Sequence, residues 1–245
     1  MAGKLTGLGD NFYIGGYDLS GDVNSLGPVH GGPAALDFTG IKKSAYERQG
    51  GLRDGGMDFA TFMNADTAAA HAALSPLPTA DVIATYFNGT VVGNAAASCN
   101  GKQVNYDWNR GNDGSLMGAV SVTSDQFGLE WGTQLTAGLR TDATATTGTA
   151  FDNLAAGSNG AQAYLQVTAF TGTDVTIKVR HCATSGGTYA DLIAFSAVTA
   201  AQTAQRGTAT GTVNEFFKVV TSTSGGFTSV SFAVMIVVNQ TAVTF

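Results

Sequence analysis

Three histidines (His30, His71, His181), two cysteines (Cys99, Cys182) and one close carboxylate pair (Asp107, Asp113) are the residues here whose types could support chemistry. His181 and Cys182 are adjacent, and neighbours on a strand point to opposite faces, so they cannot form a nucleophile–base pair. Asp107 and Asp113 flank a Trp-Asn-Arg-Gly-Asn segment and read as turn residues rather than as acid and base. They resemble a calcium loop only faintly, without its spacing or its closing Glu. No His-Glu-x-x-His, Gly-x-Ser-x-Gly or phosphate-cradling Gly-rich loop with a Lys occurs. Catalytic residues, metal ligands and cofactor-binding residues are therefore all expected to be absent. The cysteines lack zinc spacing, and a disulfide between them is not expected in a reducing compartment.

The elements that would position any site are strands. Glycine is abundant (33), proline scarce (4) and only 12% of residues are charged, while 44% are hydrophobic. That apolar content is enough to fold a core, and short alternating runs between Gly/Thr/Ser clusters favour β structure. Strands are expected near 11–17, 19–26, 33–41, 55–63, 81–92, 101–108, 115–125 and 128–136. One helix is expected from Thr67 to Leu74, capped by Asp66 and followed by Pro76. Tyr106, Trp108, Phe127 and Trp131 form an aromatic cluster, and core packing is the simpler reading of Trp131 against a sugar-stacking one.

Residues 141–160 are small, polar and aperiodic and read as a linker or long loop, dividing the chain into domains 1–155 and 156–245. Beyond it, Ala161–Phe170 and Asp174–Cys182 alternate, joined by a tight hairpin at Thr171–Asp174. Val213–Thr221 and Phe227–Asn239 follow. The last is apolar on both faces (Phe232, Val234, Ile236 against Ala233, Met235, Val237) and is expected to be covered on both sides. Residues 1–155 carry eight Lys/Arg and fifteen Asp/Glu, a net of −7, and the remainder carries +1. An acidic first half repels phosphate. No apolar run reaches membrane-spanning length, and the amino terminus lacks the apolar stretch of a secretory signal, so use in the cytoplasm where it is made is expected.

Two segments carry a family resemblance. Gly16-Tyr17-Asp18-Leu19-Ser20-Gly21-Asp22-Val23-Asn24-Ser25-Leu26 precedes a long polar loop. Tyr46-Glu47-Arg48-Gln49-Gly50-Gly51-Leu52-Arg53-Asp54-Gly55-Gly56-Met57-Asp58-Phe59 then opens a strand. Together they resemble the major tail tube protein of long-tailed (siphovirus-type) bacteriophages. The resemblance covers the first half; for the second it rests on domain order and strand pattern. It implies a mainly β fold: a tail-tube-type sandwich or barrel with one short flanking helix, then a small antiparallel β-sandwich facing outward. It further implies a structural, non-enzymatic virion protein that stacks as hexameric rings into a conduit for DNA. DNA would pass without specific binding, and no membrane is involved. Partners would be the chain itself, a tape-measure protein and a tail terminator, with assembly in the host cytoplasm.

In that family the segment matching Phe38–Gly56 is a long hairpin that contacts the next ring. Here it holds Lys42, Lys43, Glu47, Arg48, Arg53 and Asp54, with Tyr46 and Leu52 as apolar anchors. Gly50-Gly51 and Gly55-Gly56 are expected to supply positive φ angles for bending. Segments near 1–10, 38–56 and 141–160 are expected to be flexible until assembly. The alternatives are a capsid-decorating or host-glycan-binding phage protein and a glycan hydrolase built on a sandwich.

Overall fold

The computed structural model describes residues 6–241. The first half forms β1 (Asn11–Ile14), β2 (Tyr17–Asp18), β3 (Val23–Asp37), β4 (Arg48–Phe62), α1 (Ala70–Leu74), β5 (Val82–Phe87), β6 (Ala95–Gln103), β7 (Asp107–Arg110) and β8 (Leu116–Gln134). It is followed by β9 (Arg140–Asp142), β10 (Phe151–Asp152), β11 (Ala161–Gly172), β12 (Thr176–Cys182), β13 (Ala190–Ala194), β14 (Thr203–Ala209), β15 (Phe216–Ser222) and β16 (Phe227–Val238). The chain is mainly β and antiparallel, with one short helix among the described residues.

A 12-stranded sheet runs in the order β14-β11-β16-β8-β6-β5-β1-β2, with β3–β4 and β7 attached to β8 and β9 to β16. A second sheet, β10-β15-β12-β13, has four strands. β8 is the spine of the large sheet. It is interrupted near Asp125–Gly128, where Gln126 (φ 70°) and Gly128 (φ 72°) are left-handed and the β6 register jumps from Gly101↔Ser124 to Cys99↔Leu129. Such a bulge sharpens the bend of the strand. The sheet curls until its ends approach, without closing into a barrel. Gln166 of β11 spans the gap: it accepts from Gly16 N at 2.7 Å and donates to Ile83 O at 2.8 Å and Thr85 Oγ1 at 2.9 Å. A Cβ on Gly16 would lie 2.3 Å from Thr203 N, so only glycine permits this approach.

The apolar residues gather into three clusters. One lies wholly in the first half and includes Phe12, Leu19, Met57, Phe59, Leu74, Cys99, Val120 and Leu129. A second fills the sandwich between the small sheet and β11–β16, with Leu165, Ile177, Val179, Phe217, Phe232 and Val234. The third joins them: Tyr13, Ile83, Phe87 and Ala96 meet Tyr164, Ala233 and Met235. β16 is thus buried on both faces, as its double apolar pattern demands. Around residue 155 the core changes while backbone pairing continues, because β8 pairs directly with β16.

Several expectations need correction. The segment 141–160 is largely a long loop, but it is fastened to both sheets. It holds β10, the end of β9 and Asp142, whose carboxylate pairs with Arg140 at 2.7 Å and accepts from Thr221 Oγ1. Thr171–Asp174 is not a hairpin: β11 pairs with β14 and β16, whereas β12 pairs with β13 and β15 in the other sheet. The chain crosses between layers there, and the Asp174 carboxylate ties the crossing to the returning loop by accepting from Ser224 N and Gly225 N. The helix is shorter than expected and Asp66 does not cap it. Asp22 does so from a distant turn, accepting from Ala70 N at 2.9 Å while its other oxygen holds Asn64 at 2.8 Å.

Candidate assembly surface: the β3–β4 arm

β3 and β4 are each 15 residues long, longer than a half-buried strand in a domain of this size needs. They pair from Val23↔Thr61 to Asp37↔Arg48, but β4 pairs with β8 only from Gly56 to Phe62. Beyond Gly55 the two strands therefore leave the sheet as a free ribbon. From Gly32 to Asp37 a pleated strand covers about 20 Å, and the 38–47 tip extends it further.

The tip is built from local hydrogen bonds. Asp37 accepts from Thr39 Oγ1 and from Thr39 N at 2.8 Å, and these bonds, the hydroxyl's first, lower its carboxyl pKa. Thr39 Oγ1 in turn accepts from Glu47 N at 2.9 Å, Phe38 N donates to Glu47 O at 2.9 Å, and Lys43 N donates to Gly40 O at 2.9 Å. Lys43 pairs with Glu47 at 2.6 Å, and Arg48 stacks over Tyr46 at 4.7 Å. Within the segment 38–56, residues 48–56 are paired strand and 38–47 are a turn region held by these bonds. Of the amino-terminal segment 1–10, residues 1–5 lie outside the described residues.

The glycines do a different job from the one expected. Gly50, Gly51, Gly55 and Gly56 do not have positive φ. Instead a Cβ on Gly55 would sit 2.7 Å from the Leu129 backbone nitrogen, and one on Gly56 would sit 2.7 Å from Val122 O. They open a path for β8 to press against the root of the arm. Asp54 fastens that root, accepting from Gly55 N at 2.7 Å and from Ser124 Oγ at 3.1 Å.

The residues singled out in the sequence fall into two groups. Lys42, Lys43, Tyr46, Glu47, Arg48, Leu52 and Arg53 lie on the projecting ribbon or its tip, whereas Asp54 lies at the root. Sequence reasoning missed Leu36, Phe38 and Ile41, which the arm also carries outward. Ile41 is fully exposed, Leu52 89% and Tyr46 71% exposed. A monomer has no use for so many large apolar groups on one projection. Covering Ile41 alone on a partner is worth about 2 kcal/mol. The signal available was the pair Phe38 and Ile41 inside an otherwise polar stretch. Between Phe38 and Arg53 four cations face one carboxylate, a net +3 in a chain of −6, so the rest of the chain sums to −9.

The residues with catalytic potential do not converge. His71 Nδ1 lies 3.1 Å from the Tyr106 hydroxyl. His181 Nδ1 accepts from Asn214 N at 3.0 Å, and burial lowers its pKa, so it is held neutral. Both cysteines are free, and burial pushes the Cys99 thiol up to about 12. Asp107 accepts from Asn105 and Asp113 from Ser115, as turn residues do. No group of three or more His, Cys, Asp or Glu among the described residues could hold a metal ion. No helix among them is long and apolar enough to cross a membrane. Trp131, expected in the core, is 53% exposed.

No family model and no curated protein sequence matches this chain. Among solved structures, the Dit (gp 19.1) protein of phage SPP1, described as a paradigm of the hub adsorption apparatus in Gram-positive-infecting phages, aligns at 9% identity. That alignment covers 93% of this chain and 98% of that one, with a TM-score of 0.32. A chain of the phage p2 baseplate in its activated conformation aligns at 6% identity over 88% and 98%, with a TM-score of 0.31. A chain from infectious bursal disease virus aligns at 12% identity over 93% and 57%, with a TM-score of 0.21. Likenesses of this size do not assign a role.

Proposed function

We propose that this chain is a structural protein of a bacteriophage tail that polymerises through the β3–β4 arm, in the manner of a major tail tube protein. The arm carries the reading: a ribbon free of its own sheet, rich in exposed apolar side chains and net positive, on an otherwise acidic body. A second copy of the chain offers the opposite charge and the surface that the arm lacks. Of the two motifs resembling tail tube proteins, the first runs from the β1–β2 turn into the start of β3 and the second covers the returning strand β4, so the resemblance and the geometry meet on the arm. In this reading subunits close into rings, hexameric by resemblance, and the arms join successive rings. Acidic residues facing the bore would let DNA slide without specific binding. A tape-measure protein and a terminator would set tube length, within a virion tail assembled in the host cytoplasm. No chemistry is required of the chain.

Negative-stain electron microscopy of the purified protein over a concentration series tests this. Rings or hollow tubes with a regular axial repeat are expected, and Arg53→Ala should weaken stacking. Particles carrying the protein over the capsid shell and not along the tail would overturn it.

A further inference from the structure

A groove of about 340 Å³ lies beside the contact of β8 with β16, two residues along β8 from Leu129, on which the root of the arm packs. It is lined by Trp131, Thr133 and Ala95 on one side of the sequence and by Asn153, Val238 and Gln240 on the other. The local sequence explains why the indole stands out. Trp131 pairs across the sheet with Ala97, which is too small to cover it. At position 132 a Cβ would lie 2.1 Å from Ile236 O, so Gly132 lets the two strands touch and leaves Trp131 above a shallow floor. The preceding residue, Glu130, is 2% exposed, whereas Trp131 is 53% exposed, in a residue type that is ordinarily well buried.

The polar atoms around this ring are uncharged and bifunctional. The Asn153 amide donates to Ala155 O at 3.2 Å, which leaves its carbonyl oxygen to accept. Gln240 accepts from Asn159 through its backbone oxygen at 3.0 Å, and its side-chain amide has no partner among the described residues. Thr133 adds a hydroxyl. Carboxamides and hydroxyls can each both donate and accept. A sugar ring presents the matching pattern, an apolar C–H face for the indole and hydroxyls around its rim for the amides. Phosphate and carboxylate ligands are recognised by cations, and none of the lining residues carries charge. We propose that the Trp131 groove is a binding site for a neutral saccharide.

The test titrates the full chain with tetramers of N-acetylglucosamine, glucose (α-1,4) and galactose, and with a galacturonate tetramer as the charged control. Saturation-transfer NMR and tryptophan fluorescence report binding. At least one neutral tetramer should bind, Trp131→Ala should weaken it by about tenfold or more, and Gln240→Ala should weaken it less. Trp108→Ala should leave it unchanged, and thermal melts should show every variant folded. Absence of binding by all neutral tetramers, binding only of the charged one, or undiminished binding by Trp131→Ala would overturn the proposal. Loss of oligomers in Trp131→Ala would also overturn it, by assigning the groove to a subunit contact. Assembly that persists in this variant leaves the arm's role untouched.

Discussion

The arm and the junction between the two cores are made from the same kind of antiparallel strand, but they place their side chains in opposite ways. At the junction, polar groups are buried and several of them are paired with one another, although Gln162 Oε1 and the Tyr13 hydroxyl have no partner among the described residues. Glu130 accepts from Gln162 at 2.9 Å and from Arg206 at 3.1 Å, the Tyr164 hydroxyl also donates to it, and Arg206 stacks on Phe127 at 3.7 Å. Burial and the Glu130 charge raise the Tyr164 pKa, so its proton stays in the network. On the arm, large apolar groups such as Ile41 and Leu52 are left exposed. Buried polar networks fix one arrangement within a subunit, whereas exposed apolar anchors with mixed charge are the kind of surface that the proposed contact with another subunit would use.

Substitutions at the junction should therefore change folding, and those on the arm should change association. The largest effect is expected for Arg206→Ala, which strands the buried Glu130 carboxylate and should cost about 3–5 kcal/mol, read by urea unfolding. A loss under about 1 kcal/mol would show that the junction tolerates an unpaired charge. Gly16→Ala comes next. The new Cβ meets the backbone at Thr203, and the left-handed φ of 83° adds strain. It should cost about 2 kcal/mol in the same assay. Asp22→Ala removes the remote cap of α1 and should cost about 1 kcal/mol, with thermal melting as the measurement. Smallest is the stability change for Ile41→Asp at the arm tip, within about 0.5 kcal/mol.

What the sequence made legible follows the same divide. β11 and β16 were readable because Ala163, Leu165 and Val167, or Val234 and Ile236, repeat every second residue toward a core. β14, with the sequence Thr-Ala-Gln-Arg-Gly-Thr-Ala, has no such period. It forms because β11 offers it an edge and Arg206 reaches the buried Glu130. The Thr171–Asp174 misreading came from judging a turn by local residues when the main partner of β11 lies in β16, some 60 residues on. The capping error is similar: Asp66 had the right type and position, but Asp22 arrived from another turn. On the arm, charges and the anchors Tyr46 and Leu52 were visible as composition. The length of the ribbon was not, because glycine-rich polar strands paired only to each other leave no hydrophobic alternation. Trp131 was misplaced because the small residues beside it, Ala97 and Gly132, set its exposure only once the strands are paired.

The central claim is that the arm joins subunits and contributes little to the fold of its own. Sedimentation velocity of the wild type and of a Phe38→Asp/Ile41→Asp double variant, over one concentration series and with circular dichroism on the same samples, tests it most directly. The account predicts rings or larger species for the wild type and a folded monomer for the variant. A folded variant that assembles as the wild type does would contradict it.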